Sequence, residues 1–200
     1  QVLLDVLSDQ LAAYGAEIVV ARYRFLQQLE KWAADLHYQI SLNAEKLRLV
    51  YATQLHVTAE TTVDDAYQQL LTIYQENKRR EIDQGSTMFG PQRDDLRFMV
   101  NGKNVHSFGS QGQQRTTALA VKLAEIDLMK EQTGEYPLLL LDDVLSELDT
   151  IRQTHLLTAI QNKVQTFLTT TSLSDVARQL INEPTIFNIK NGTLIKEETK

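Results

Sequence analysis

The sequence predicts an α/β fold, a head with a central parallel sheet flanked by helices, carrying a helical lobe. Three observations predict it. Leu138 to Leu141 run as four consecutive leucines between Pro137 and the acids Asp142 and Asp143. A polar turn, Ser110-Gln111-Gly112-Gln113-Gln114-Arg115, comes just before an apolar helical period that starts at Ala118. The first forty residues hold helical spacing throughout. A short apolar run bounded by turn signals reads as a strand buried on both faces, the pattern of a central parallel strand.

Leu7, Leu11, Tyr14, Ile18, Ala21, Phe25, Leu29, Trp32, Leu36 and Ile40 alternate steps of three and four, with one stutter between Phe25 and Leu29. That spacing predicts one long amphipathic helix with these residues as its apolar stripe. A second helix begins at Thr62, whose side chain can cap; Asp65 lies three residues on, and Ala66, Leu70, Ile73 and Tyr74 share one stripe. Between them Leu47, Leu49 and Tyr51 alternate as a short strand. Residues 1–85 are therefore expected to form the helical lobe, and residues 86–200 the head. In the head, Leu96, Phe98 and Val100 alternate up to Asn101-Gly102, a hairpin signal, and Lys103 to Val105 begins the return strand. Val164 to Thr169 reads as a further sheet strand. Ile186 to Ile189 and Thr193 to Ile195, joined through Asn191-Gly192, read as a last hairpin.

Two of these stretches carry chemistry. Ligands bind at the carboxyl ends of parallel strands, and paired carboxylates there supply hard oxygens suited to Mg²⁺. Read alone, Asp142 and Asp143 are also compatible with a helix cap or a loop. In the polar turn, Gly109 and Gly112 allow close backbone approach, and a helix start offers free N–H groups and the positive end of a dipole to a phosphate. Ser110 adds a hydroxyl and Arg115 a fixed charge. A helix from Gln113 to Gln132 is about 30 Å long at 1.5 Å per residue, whereas the strand Leu138 to Leu141 returns only about 13 Å. One triphosphate cannot bridge both sites of one chain, so the Ser110 turn is expected to meet the Asp142 site of a second subunit.

Gly90-Pro91-Gln92-Arg93-Asp94-Asp95-Leu96, Phe108 to Thr116, and Leu138 to Asp149 with its ending Ser146-Glu147-Leu148-Asp149 closely resemble the RecF family of bacterial recombination mediators, which belongs with the ABC-type and SMC-type ATPases. The resemblance runs from about Gly90 to Thr171, with looser agreement before it. It implies that the chain is the C-terminal part of an ABC-type ATPase head. Ser110, Gln111, Gly112, Gln113 and Arg115 would be the ABC signature, contacting nucleotide in trans. Leu138 to Asp143 would be the Walker B strand, with Asp142 holding the metal and Asp143 standing where many relatives carry a catalytic Glu. Ser146, Glu147 and Asp149 would belong to the D-loop. A shorter acid at 143 leaves more room for the attacking water, which implies slow turnover. ABC relatives commonly place a His near the end of the strand before Thr169 to Thr171; a Thr, Thr170, stands here.

The resemblance further implies ATP and Mg²⁺ as cofactors, an ATP-driven homodimer that engages double-stranded DNA near single-strand gaps, and recombinase loading with RecO and RecR. The P-loop such a machine needs is not found: the nearest approach, Gly85 to Gly90, puts Pro91 and Gln92 in the Lys and Ser/Thr places. The P-loop is therefore expected upstream in a longer protein, and this chain alone is expected not to turn over ATP.

Composition limits the alternatives. The chain has 200 residues, 42% hydrophobic and 23% charged, with no cysteine, which excludes thiol chemistry and Cys-based zinc sites. No apolar run approaches the roughly 20 residues of a membrane helix, and a cytoplasmic location is expected. A net charge of −6 excludes a generally basic surface, so any DNA contact must be a local basic stripe whose binding weakens with salt. Lys78, Arg79 and Arg80 read either as a basic helix end complementing the dipole or as a contact to DNA phosphate. Arg93 with Asp94 and Asp95 reads as a surface ion pair or as part of a nucleotide or dimer surface. His37, His56, His106 and His155 lack paired ligand spacing. Two rival functions stay open: another ABC-type or SMC-like ATPase, or a non-catalytic module whose helical lobe docks partners.

Overall fold

A computed structural model describes residues 2–161, 163–171, 180–181 and 184–199. Helix α1 (Val2–Ile40) leads into strand β1 (Leu47–Ala52), helix α2 (Val63–Gln84), strands β2 (Asp95–Val100) and β3 (Lys103–Asn104), the short helix α3 (Val105–Phe108) and helix α4 (Gln111–Thr133). Strand β4 (Leu139–Asp142), a 3₁₀ turn (Val144–Glu147), helix α5 (Thr150–Ile160), strand β5 (Thr166–Thr169) and the hairpin β6 (Thr185–Lys190) and β7 (Thr193–Thr199) complete it. β1, β2 and β3 form an antiparallel sheet, β4 and β5 pair in parallel, and β6 and β7 pair antiparallel.

Local chemistry sets the boundaries. Thr62 caps α2: its hydroxyl accepts from the Asp65 N–H at 3.1 Å and the Asp65 carboxylate accepts from the Thr62 N–H at 2.9 Å, a reciprocal box that satisfies two donors. Gly85 closes the helix in the left-handed conformation at φ 63°. Ala66, Leu70 and Tyr74 are buried, as the spacing predicts, and Ile73 is half-buried. Asn101 and Gly102, at φ 48° and 79°, make the two-residue turn between β2 and β3, and Asn191 and Gly192, at 52° and 74°, repeat it between β6 and β7. The return strand β3 is shorter than expected: the Asn104 side chain accepts from His106 N–H and starts α3 at Val105.

The length of α1 agrees with the sequence, but its buried face does not. Leu7, Tyr14, Ile18 and Phe25 are 50%, 68%, 43% and 43% exposed, whereas Ala12, Ala16, Val19, Leu26, Ala33, His37 and Ile40 are buried. Before the stutter only Leu11 of the expected stripe is half-buried against a core; from Leu29 onward the stripe holds. Small residues explain the difference, because close helix approach rather than side-chain size decides which face is covered: a Cβ on Gly15 would meet Leu70 Cδ1 at 3.0 Å. Three cores follow along α1. Ala12, Ala16, Val19 and Val20 pack with Leu70 and Tyr74 of α2. Leu26, Leu29 and Ala33 pack with Leu47, Leu49, Val100, Ala124 and Leu128. Ile40 joins Leu119, Leu123 and Ile126 of α4 and Leu156 and Ile160 of α5. β1 also pairs with β2, so hydrogen bonds cross the expected division at residue 85.

The four leucines differ from expectation as well. β4 alternates: Leu139 and Leu141 pack on the core beneath α4 and α5, while Leu138 and Leu140 are 65% and 74% exposed, as is Phe167 of β5 at 54%. Among the described residues one face of this parallel pair is covered and the other is exposed. Four leucines describe a strand able to be buried on both faces; which faces are covered depends on what packs there.

Candidate nucleotide site

The Ser110 turn is built by the residues that start α4. Ser110 is the N-cap at φ −62° and ψ 160°. Its hydroxyl accepts from the Gln113 N–H at 3.2 Å, and Gln113 Oε1 accepts from the Ser110 N–H at 2.9 Å. A hydroxyl that accepts one N–H still has its own hydrogen to donate, so Ser110 can cap the helix and offer a donor outward. Helix geometry leaves the Gln111 and Gly112 amides without intrahelical acceptors. Gln111 and Arg115 are exposed on this first turn, and the Gln114 side chain donates to Gly109 O at 3.3 Å, closing the loop from α3.

The carboxylate turn is different. Asp142 ends β4 and pairs in register with Thr169 of β5. The Thr169 hydroxyl donates to Asp142 Oδ1 at 2.5 Å and accepts from the Asp143 N–H at 3.0 Å, so one side chain holds the carboxylate of the first acid and the backbone of the second. Asp143 sits in the left-handed region at φ 50°, a sparsely populated conformation for a residue with a side chain, and its carboxylate caps nothing. Its carbonyl accepts from Ser146 Oγ at 2.8 Å. Both acids are exposed, as are Ser146 and Asp149. Among the described residues no group of three or more potential metal ligands forms. Two exposed carboxylates offer hard oxygens of the kind that a cation with water and phosphate ligands takes.

Sequence reasoning missed Arg152. Asp149 caps α5 by accepting from the Arg152 N–H at 3.0 Å, and its carboxylate pairs with the Arg152 guanidinium. That N–H bond first, and the guanidinium charge after it, hold the Asp149 carboxyl below the usual carboxylate range. The same guanidinium donates from Nε to Thr116 Oγ1 at 2.6 Å and from Nη2 to Gly112 O at 3.3 Å. A Cβ on Gly112 would meet Nη2 at 3.1 Å, so this glycine makes room for Arg152. The Asp149-x-x-Arg152 spacing was a cap signal, but nothing in the sequence links it to Gly112. Within one chain, Asp149 thus lies beside the Ser110 turn. Ser110, Gln111, Gly112 and Gln113 share no hydrogen bond with Asp142 or Asp143 among the described residues.

Other expected residues fall elsewhere. Lys78, Arg79 and Arg80 do not end α2: the helix continues through Glu81 and Asp83 to Gln84, with no base in its last turn. Lys78 pairs with Asp5 of α1, and Arg79 and Arg80 are exposed. Arg93 donates to Thr87 O at 2.9 and 3.1 Å, Asp94 accepts the Tyr51 hydroxyl at 2.5 Å, and Asp95 accepts the Leu96 N–H at 2.8 Å, so these three are bound locally rather than to one another. Gly90 at φ 115° leads through a turn into β2 and not into a helix, unlike a phosphate-cradling loop.

No protein-family model matches the chain. Curated relatives do. It is 76% identical over all 200 residues to the DNA replication and repair protein RecF of Limosilactobacillus reuteri, covering 54% of that protein, and 67% identical over 198 residues to RecF of Limosilactobacillus fermentum, covering 53%. Among solved structures it is similar to the recombination mediator protein RecF with ATP in the RecFOR pathway, at 33% identity and TM-score 0.83 over 99% of this chain and 51% of that one. The same protein with ATPrS matches at 33% identity and TM-score 0.79, over 96% of this chain and 50% of that one. The chain spans about half the length of the curated relatives it matches. Alignment of the whole chain to about half of proteins named RecF, on an α/β fold shared with the solved RecF structures, places it in the RecF family.

Proposed function

We propose that this chain supplies half of the composite ATP site of a DNA-repair clamp. The observation that carries the proposal is the end of β4, where two exposed acids stand at the carboxyl end of a parallel strand and the Thr169 hydroxyl binds the Asp142 carboxylate and the Asp143 backbone N–H. Mg²⁺ bound there would neutralise phosphate charge and orient the nucleotide. Asp142 is the residue to hold it. Asp143 is the residue to take the proton of an attacking water, and its carboxylate makes no cap hydrogen bond to the 3₁₀ turn that follows. The capping box leaves the Ser110 hydroxyl hydrogen and the first amides of α4 for the γ-phosphate held by a second subunit, with Arg115 on the same turn. Ser146, Glu147 and Asp149 then lie at the subunit junction.

In this reading the whole protein is a slow, Mg²⁺-dependent ATPase in the cytoplasm. ATP joins two copies, the dimer engages double-stranded DNA near single-strand gaps with RecO and RecR as partners, and hydrolysis releases it. The lobe of residues 1–85 presents Arg79 and Arg80 as the candidate DNA contact, beside Lys78. The 200-residue chain alone turns over no ATP, because no Lys-bearing loop holds the β and γ phosphates; Asp142-dependent turnover by it would refute this.

The deciding experiment mixes two defective whole proteins. Ser110→Arg places a bulky cation where the neighbour's γ-phosphate belongs, leaving ATP binding by the monomer and abolishing ATP-driven dimers. Mixed with Asp143→Asn subunits, it gives a dimer with both lesions in one composite site and the other site whole, so ATPase activity returns. Proven heterodimers without activity would show that the two motifs serve one subunit or must fire together.

A further inference from the structure

We infer that Glu45 is the positioning residue of the Ser110 turn, locking the Gln113 amide and through it the cap of α4. The inference rests on the reading above for its effect on nucleotide, and on geometry for the lock itself. Glu45 follows the tight turn that ends α1, where Leu42 and Asn43 are both left-handed at φ 55° and 63° and the Glu45 N–H donates to Ser41 Oγ at 3.2 Å. Its carboxylate reaches across to α4. Oε1 accepts from Gln113 Nε2 at 2.7 Å, and Oε2 lies 3.8 Å from His37 Nε2. His37 is fully buried, 3.3 Å from Thr117 Oγ1 on the same helix as Gln113.

A glutamine amide has two ends, and only one orientation serves the capping box. Gln113 Oε1 must face the Ser110 N–H. A carboxylate is acceptor-only, so it binds the NH₂ end and rejects the carbonyl end. Flipping Gln113 would set its NH₂ against the Ser110 N–H and its oxygen against Glu45, opposing both contacts at once. Glu45 therefore selects the orientation that the cap needs. Its negative charge also lies at the positive end of α4. Because Glu45 is set by the last turn of α1, the link ties the helix that packs on α2 to the turn that would meet nucleotide.

The test uses the whole protein and the variants Glu45→Ala, Glu45→Gln, Gln113→Ala and the double Glu45→Ala/Gln113→Ala. Without nucleotide, hydrogen exchange in a peptide covering residues 108–114 should speed up about tenfold in Glu45→Ala, the scale of a lost cap, while the middle of α4 keeps its native rate. Glu45→Gln should restore slow exchange, since its carbonyl can accept from Gln113, and the double variant should be no worse than Gln113→Ala alone. In the same proteins the ATP concentration for half-maximal dimer should rise about tenfold for Glu45→Ala, following the same cap loss, with monomer ATP affinity unchanged. Native exchange at 108–114 in Glu45→Ala, or additive losses in the double variant, would overturn the inference. So would exchange accelerated evenly along α4, the mark of a merely structural residue. If the unsubstituted protein forms no ATP-driven dimer, the proposed function fails while the exchange measurement still decides the role of Glu45. If Glu45→Ala does not fold, exchange in Gln113→Ala against Glu45→Gln decides it: native exchange at 108–114 in Gln113→Ala, or fast exchange in Glu45→Gln, overturns the lock.

Discussion

The Ser110 turn and the Asp142–Asp143 turn are both sharp polar junctions beside regular elements, yet they are built in opposite ways. At Ser110 the backbone is unstrained, the N–H groups at both ends of the box have acceptors, and Gln113 is held from outside by Glu45. At Asp143 the backbone is left-handed, two acids stand side by side in solvent, and one threonine hydroxyl binds the carboxylate of the first and the backbone N–H of the second. The first is complete by itself and suited to presenting donors to an anion. The second is a pair of acceptors in a strained turn, suited to a cation. Strain of this kind persists only where the surroundings hold it, and here the parallel strand β5 does so.

The largest test of the comparison asks whether the two acids divide labour. In the whole protein, Asp142→Asn should weaken Mg²⁺-dependent ATP binding and hydrolysis together, whereas Asp143→Asn should keep binding and lose turnover by roughly 10²–10⁴-fold. Titrations with ATP beside steady-state rates give both numbers. Equal loss of binding in the two variants would mean the pair is misassigned.

Beneath the Ser110 turn, the comparison predicts a pH response. Burial pushes the His37 imidazole below its ordinary value, and the Glu45 charge only partly opposes this. The unfolded chain then binds the proton at a higher pH than the folded one. Stability from this group is therefore full above about pH 6.5 and falls as the pH drops below it, with a slope of at most about 1.4 kcal/mol per pH unit. Melting curves between pH 7.5 and 5.5 should show the loss, and His37→Gln should flatten it; an identical slope in the variant would remove His37 as the cause.

Strain separates the two turns by sign. Ser110→Ala should cost about 1 kcal/mol through the lost cap, while Asp143→Gly should gain up to about 1 kcal/mol by releasing the left-handed backbone. Denaturant midpoints measure both, and a loss at Asp143→Gly would show that the turn is not strained. Thr169→Val is expected to cost a comparable amount, about 0.5–1.5 kcal/mol, for the lost hydroxyl. No change in its midpoint would mean that the acids need no tie.

What the sequence determined by itself was local. Thr62 with Asp65, Asn101-Gly102 and Asn191-Gly192 act within four residues, so their geometry follows from side-chain chemistry alone, and the Ser110 turn was legible as a helix start for the same reason. The succession of leucines and acids located the end of β4. Tertiary structure decided the rest. It chose the alanine face of α1 over the larger residues Leu7, Tyr14, Ile18 and Phe25, because helices approach closest where side chains are small. It left one face of Leu138 to Leu141 bare, because burial is a property of the neighbour. It brought Arg152 onto Gly112 and Glu45 onto Gln113 across 40 and 68 residues of chain, contacts that no spacing rule reaches because they exist only once α1, α4 and α5 share a core.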